Sequence, residues 1–406
     1  MHIHKISTRD VRFQLAAGAG SDAVHSAPEY SFAVTRLTSD TGLQATGLVL
    51  TMGQGNDLVC RAIEMLAAEL AGSDVEELMA EFGARFRRMA DHPMLRWLGP
   101  HKGIVHLALA SISNACFDLW AKSRGEPLWK ALLEVTAEEF VNLLDLSYLE
   151  EILDRQEALR LVEEYMPGRE ARSAILEKGY PGYDTSVGWY QYDDNRIREN
   201  VQRSVDHGFS AFKLKVGGPL DQDVRRAQAL RRIAGPQATL MLDANQQWSL
   251  PAAIVACKEL ASMQPYWIEE PTHPDDIYAH QTLAAQIAPL SLALGEHVPN
   301  RIVFKNYLET GAVNILQPDC TRLGGVSEFL TVSLLARKYK VPVVPHVGDM
   351  GQIHQHLVLF NHIALGNPEI FLEYIPHLHR YFLTPADVSA GRYRTPQEPG
   401  SSSDLL

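Results

Sequence analysis

Cysteine is scarce in this sequence. Cys60, Cys116, Cys257 and Cys320 are the only four in 406 residues, scattered without paired spacing and mostly in apolar surroundings. That excludes a disulfide framework and a Cys-x-x-Cys metal knuckle, and it reads as reduced, buried thiols of a cytoplasmic protein. Positive charge is also short: 37 Lys and Arg stand against 49 Asp and Glu, a formal net charge of −12. No basic stripe is available to neutralise phosphates, so a nucleic-acid partner is not expected. For the same reason, nothing suggests attraction to an anionic membrane surface. Long uninterrupted apolar runs are absent as well. The most hydrophobic segment, GIVHLALASISNACFDLWA from Gly103, contains His106, Asn114 and Asp118, which predicts an amphipathic core helix and not a membrane span. The N-terminal MHIHKISTRDVRF has no apolar signal core. Finally, no glycine-rich phosphate turn follows any strand-like run, which argues against a doubly wound nucleotide-binding sheet.

What is present is a globular composition, 46% hydrophobic and 21% charged, at a length that suits two or three units or one large barrel with an appendage. The first third mixes elements. Runs around Val11–Leu15 and Tyr30–Val49 alternate like antiparallel strands, with Ser39-Asp40-Thr41-Gly42 as a turn. Helical periodicity then runs from about Asp57 to Leu133, broken near Gly99-Pro100, and an acidic helical stretch spans roughly Ala137 to Tyr165. From Gly179 a repeat sets in. The strand-like runs DTSVGWY, AFKLKV, TLMLDA, YWIEE, LSLALGE, VNILQPD, VPVVPH and IFLEY alternate with seven helix candidates. That pattern predicts an α/β fold of the (β/α)8 type. The expected division is residues 1–135 as a first unit, 136–373 as the barrel, and 374–406 as a segment returning to the first unit.

The word FKLKVGG, from Phe212, raises a specific question. Lys213 and Lys215 lie two apart on a strand and so share a face. Either that face is wet and the pair incidental, or something strongly negative lies opposite. The ends of the later strands supply candidates. From Lys215, the steps to Asp243, Glu269, Glu296, Asp319, His346 and Glu373 are 28, 26, 27, 23, 27 and 27 residues. A barrel aims these ends at one mouth, where the residues converge. Asp243, Glu269 and Glu296 come from consecutive strands. Massed carboxylates repel unless a cation lies among them, and an all-oxygen set favours a hard ion such as Mg²⁺. Solvated loop acids or arginine pairs are the alternative. Asp319 beside His346 suits an acid–base dyad, the aspartate fixing the tautomer and leaving the other ring nitrogen free. His354, His356, His362, His377 and His379 lack a metal-sharing pattern and read as structural or surface residues.

Taken together, FKLKVG, MLDANQQW, WIEEPTHPDD, GEHVPNR, QPDCTRLGGV and VPHVG resemble the enolase superfamily and, within it, the mandelate-racemase group. Outside the barrel, RDVRF, GSDAVH, PEYS, QATGL, MLRWLGPHKGIVHLAL and LEYIPHLH extend the likeness, which is greatest to L-fuconate dehydratase and related acid-sugar dehydratases. The resemblance implies an α+β capping domain, built from the N-terminal part and the C-terminal tail, over the barrel mouth. It implies Mg²⁺ on Asp243, Glu269 and Glu296, Lys215 as base, Lys213 on the substrate carboxylate, and His346 with Asp319 as the opposing dyad. Asn245 and Glu373 match substrate-contacting positions, and Asp22 and Tyr30 match a capping loop that shapes specificity. A small sugar acid as partner and assembly as a homo-oligomer are also implied. Two positions depart from the pattern: Asp349, in a segment that is glycine-rich in close relatives, and Pro318, where a β-branched residue is usual.

The chemistry so implied is removal of the proton α to a carboxylate, with the enediolate stabilised by Mg²⁺ and Lys213. A lysine crowded by a second cation is expected to have a lowered pKa and so to act as a neutral base. Loss of the 3-hydroxyl, protonated by His346, then leads to a 2-keto-3-deoxy acid. The same residues would serve a racemase or epimerase working on both faces of one carbon. A non-catalytic metal-binding scaffold would be expected to have lost a ligand or base, and none is missing.

Overall fold

The computed structural model describes residues 1–406. Its N-terminal part is a three-stranded antiparallel sheet, β1 (Ile3–Phe13), β2 (Tyr30–Ser39) and β3 (Gln44–Thr51), in the order β1-β2-β3. Helix α1 (Asn56–Ala67) packs on β1 and β2, and α2 (Gly103–Ser123) packs on β3. Gly47 allows the α2 contact: a Cβ there would lie 1.9 Å from the Ser111 carbonyl oxygen. The Ser111 hydroxyl uses that closeness to bridge the carbonyls of Ala33 and Gly47. Helix α2 is long and apolar enough to cross a membrane, but 89% of that stretch is buried within the protein. The acidic stretch after it is not one helix. Ala137–Asn142 and Arg155–Glu164 are helical, and the loop between them places Asp145 2.6 Å from the buried Arg301.

The rest of the chain alternates strand and helix around one mixed sheet. Its parallel strands are β4 (Tyr180–Gly188), β5 (Ala211–Lys215), β6 (Thr239–Asp243), β7 (Trp267–Glu269), β8 (Leu292–Leu294) and β9 (Ile315–Leu316), paired in sequence order, with β10 (Leu372–Tyr374) parallel to β4. The short hairpin β11 (Val388–Ser389) and β12 (Arg392–Tyr393) joins β4 antiparallel. Seven helices link the parallel segments: α3 (Asp194–Asp206), α4 (Leu220–Ala234), α5 (Leu250–Leu260), α6 (Ile277–Ile287), α7 (Arg301–Thr310), α8 (Val326–Tyr339) and α9 (Gln352–Leu365).

The expected strand VPVVPH is reduced to a single bridge, Leu316 to Val343. Pro342 and Pro345 flank it and have no N–H to donate to a ladder. Between this segment and β10 there is no backbone ladder; the Asn367 side chain instead bonds both the N–H and the carbonyl of Val343. Strand β1 begins at Ile3, well before the expected Val11. Its polar residues on both faces hide the alternation, and pairing with β2 along its length holds it. The C-terminal tail returns to the first unit: Asp404 accepts from Thr46 and pairs with Lys122, which also pairs with the buried Asp118.

Candidate active site

Alternation along the parallel strands builds the site in layers. The lowest layer is apolar, with one residue from each successive strand: Tyr183, Ala211, Met241, Trp267, Ala293, Ile315 and Val344. Two residues further along, on the same face, stand Thr185, Lys213, Asp243, Glu269, Gly295, Gln317 and His346. Gly295 sits where a Cβ would lie 2.3 Å from the Gln317 carbonyl carbon, so the chain passes close to β9 just before Glu296. Backbone strain gathers at the same level. Asn245 (φ 44°) and Gln246 (φ 61°) follow β6, and Glu270 (φ 40°) follows β7, all non-glycine residues in the left-handed region.

The two lysines face carboxylates. The Lys213 ammonium, fully buried, lies 2.7 Å from Glu373, 2.8 Å from Glu269 and 3.4 Å from Asp243. Lys215 lies 2.6 Å from Asp243. Burial opposes the charged form of both lysines, but the facing acids outweigh it, so both pKa values are raised. The expectation of a lowered Lys215 pKa is therefore corrected. Lys213 does push Lys215 down, but Asp243, in direct contact, pushes it up more strongly.

Every partner of Glu269 is a donor. Its Oε1 accepts from Lys213, and its Oε2 accepts from Trp267 Nε1 at 3.0 Å and Gln317 Nε2 at 2.9 Å. Burial nevertheless raises its pKa to about 7. Glu373 is held on both oxygens. Its Oε1 meets Lys213 and the Thr185 hydroxyl, and its Oε2 accepts the Val347 N–H at 3.2 Å.

Asp319 and His346 pair at 2.7 Å through Oδ2 and Nδ1. The other ring nitrogen, Nε2, points to Glu296 Oε2 at 3.5 Å. Burial disfavours the imidazolium, but Glu296 and Asp319 outweigh it and raise the His346 pKa to about 9. Asp22 belongs to the β1–β2 connection and Tyr30 opens β2; the connection docks at the end of β4, where Ser21 accepts the N–H groups of Tyr190 and Gln191. Both side chains are buried, and Asp22 adds to the negative field that favours the Lys215 charge. Asn245 is buried, its N–H donated to Asp243 Oδ1 at 3.0 Å and its own Oδ1 without a partner.

These residues suit a hard cation. Oxygens of Asp243, Glu269 and Glu296 lie within 4.8 Å of one another, and Glu296 Oε2 is buried without a hydrogen-bond donor. A set of carboxylates with an orphaned, buried oxygen fits Mg²⁺ better than a soft metal. A second cluster, Glu270 with His297 and Glu296, is already satisfied internally, since both Glu270 oxygens lie within 3.0 Å of His297 Nδ1.

Some supporting residues were not expected from sequence. Thr185, Trp267 and Gln317 hold the acids, and their positions two residues from an apolar inward-facing residue or from a site acid are the signal that could have found them. His354 is structural and not on the surface: it is wholly buried, 2.9 Å from Asp319 and 2.7 Å from Asp349, a link to the site acid that the sequence did not suggest. His356 is structural as expected, bonded to the Ser402 hydroxyl and the Trp129 N–H.

The strand ends thus bring together a carboxylate cluster, a lysine pair on one strand and a histidine–aspartate pair on later ones. Comparison with known proteins places the chain in a family. The family model described as enolase C-terminal domain-like matches residues 196–405. Human mitochondrial enolase superfamily member 1 is 38% identical over 413 residues, 99% of this chain and 93% of that protein. Its crystal structure superposes with a TM-score of 0.97, covering 100% of this chain and 94% of that one. L-galactonate dehydratase of Hypocrea jecorina is 39% identical over 407 residues, 98% of this chain and 90% of that protein. A racemase from Streptomyces coelicolor, solved with bound magnesium, is 25% identical with a TM-score of 0.78, covering 99% of this chain and 97% of that one. The chain belongs to the enolase superfamily, in its mandelate-racemase-like branch.

Proposed function

We propose that this protein is a Mg²⁺-dependent acid-sugar dehydratase, a hydro-lyase acting on L-galactonate, L-fuconate or a close relative. The observation that carries the reading is the arrangement around Asp243, Glu269 and Glu296, with Lys215 against the first acid and His346 against the third. The near full-length similarity to a protein named L-galactonate dehydratase supports the substrate class. The reading takes the parallel segments as a closed barrel under a capping domain of residues 1–135 and 374–406. The four buried, unpaired thiols support a cytoplasmic setting.

A divalent cation held by the three acids would supply the positive charge that lets a substrate carboxylate accept a second negative charge. With those acids so engaged, Lys213 faces the same carboxylate, and Glu373 and Thr185 fix where its ammonium points. Lys215, relieved of part of Asp243's field and still repelled by Lys213, takes the C2 proton. His346, protonated and steadied by Asp319, gives a proton to the departing 3-hydroxyl, and the enol tautomerises to the 2-keto-3-deoxy acid. Asp22, from the β1–β2 connection, and Tyr30, at the start of β2, close the mouth and contact the far end of the sugar chain.

The test is to assay purified protein with Mg²⁺ against a panel of aldonic and aldaric acids for 2-keto acid release. Release from L-galactonate or L-fuconate, abolished by a chelator, is the expected result. No release from any member of the panel, or release indifferent to chelation, would overturn the reading. An epimer forming without keto acid would assign the site to racemisation.

A further inference from the structure

Beyond Asp319 lies a buried group that the mechanism above does not use. Asp349 precedes α9, and its carboxylate accepts the N–H groups of Gly351 at 3.0 Å and Ile353 at 2.7 Å. That fixes its Oδ1 2.7 Å from His354 Nδ1, while His354 Nε2 lies 2.9 Å from Asp319 Oδ1. Both imidazole nitrogens thus face carboxylate oxygens, which only accept, while the thiol of Cys320, a weak donor, lies farther from Nε2 at 3.4 Å. A neutral ring would set one lone pair against a carboxylate oxygen in a place that water does not reach, all three side chains being wholly buried. The arrangement is satisfied when His354 carries both protons. It then puts one cation between two anions and balances part of their charge. A ring with both nitrogens protonated has no lone pair for a metal ion, so the grouping of Asp319, Cys320 and His354 is a hydrogen-bonded set and not a ligand set.

The consequence falls on Asp319. Its Oδ1 accepts from His354, from the Thr321 N–H at 2.7 Å and from the Thr321 hydroxyl at 2.7 Å. Three donors on one oxygen prevent the carboxylate from rotating and leave Oδ2 for His346 Nδ1 alone. His346 therefore donates Nδ1–H backwards and presents Nε2 to the mouth. We propose that His354, clamped by Asp349, is a positioning residue for proton delivery, the third member of a buried chain His346–Asp319–His354–Asp349. The proposal rests on His346 being the acid of the reaction above. Asp349 supplies the fourth link, 2.7 Å from His354 Nδ1.

The test combines spectroscopy with kinetics. In protein labelled with ¹⁵N-histidine and held near pH 8, where an unpaired imidazole is mostly neutral, His354 should show protons on both ring nitrogens, and both signals should vanish in His354→Gln. A single protonated nitrogen would overturn the proposal, and this measurement on the unaltered protein needs no variant to fold. In His354→Gln, the Nδ1–H of His346 should lose protection from solvent exchange, because Asp319 is then held by fewer donors. Unchanged protection would overturn the positioning role. In His354→Leu, kcat for 2-keto acid release should fall roughly 10- to 100-fold with KM nearly constant, and less in His354→Gln, which keeps one donor toward Asp319. Wild-type kcat in folded His354→Leu also overturns the proposal. Unaltered protein with both ring protons but no keto acid from any sugar acid would instead overturn the dehydratase reading and leave the hydrogen-bonded chain standing.

Discussion

Glu269→Gln is the natural way to remove a metal ligand while keeping its shape, and the structure predicts that it disturbs more than the metal. The three hydrogen-bond partners of Glu269 are Lys213 Nζ, Trp267 Nε1 and Gln317 Nε2, and all are donors. A glutamine offers one oxygen and one NH₂, so one side of it must turn a donor toward a donor. Placing the NH₂ toward Lys213 sacrifices a charge-assisted hydrogen bond worth roughly 1.5–3 kcal/mol. Turning it over strands the Trp267 and Gln317 donors at about 1–3 kcal/mol for each buried group left unpaired. Lys213 keeps Glu373 at 2.7 Å and Asp243 at 3.4 Å, so the loss stays below that of a charge left wholly alone. A neutral glutamine also escapes the burial cost that raises the Glu269 pKa to about 7, so the net expectation is a smaller fall in metal-free stability, about 1–2 kcal/mol. Glu296→Gln is a comparison of another kind: Glu296 Oε2 has no hydrogen bond to lose, but its charge faces His346 Nε2 at 3.5 Å and its pKa is held low by the surrounding cations, so it loses charge pairing and not donors. Denaturant unfolding in the presence of a chelator measures the stability, and titration calorimetry with Mg²⁺ measures binding. Both variants should bind Mg²⁺ weakly, and Glu269→Gln should unfold earlier than the unaltered protein even without the metal. Metal-free stability of Glu269→Gln equal to that of the unaltered protein would refute the reasoning about donors around Glu269.

Three further outcomes follow from the same structure. His346→Asn should release no keto acid yet still exchange the C2 proton for deuterium in D₂O, whereas Lys215→Ala should do neither, each losing on the order of 10²–10⁴-fold in the step it serves; exchange that survives Lys215→Ala and vanishes in His346→Asn would reverse the two roles. Asp22→Asn and Tyr30→Phe should change the ratio of kcat/KM between sugar acids by roughly tenfold, the scale of one altered pocket contact, with little change in the thermal midpoint; an unaltered ratio across the panel would remove both residues from the specificity loop. Burial lowers the pKa of His106 and of His356 to about 3, so both are neutral in the fold but take up protons below about 6.5 when unfolded. The unfolded state therefore binds more protons as pH falls through 6.5, and stability should decline from there toward pH 3, by about 2 kcal/mol for each histidine at pH 5. His356→Asn should flatten that decline in a plot of unfolding free energy against pH; an unchanged slope would show that His356 is not the group responsible.

Much of the site was legible because it depends on two local periods. Alternation along a strand and a repeat of one strand plus one helix together set Lys213, Asp243, Glu269, Glu296, Asp319 and His346 at corresponding strand ends, and each period can be read without knowing any distance. Even the question raised by two lysines on one strand face had its answer in the spacing of the acids that follow. Tertiary structure decided what each group does to the next. Asp243 raises the Lys215 pKa although Lys213 lowers it, because Coulomb energy depends on separation and 2.6 Å outweighs a like charge held farther back. Glu373 is committed to Lys213, Thr185 and Val347. The seventh strand dwindles to one bridge where prolines remove its donors. His354 shows the limit most clearly. On its helix it is one histidine among three, and only the 35-residue fold-back that brings it to 2.9 Å from Asp319 links it to the site. Residue type and periodicity are properties of a segment, whereas a charge network is a property of distances between segments, and those exist only once the chain has folded.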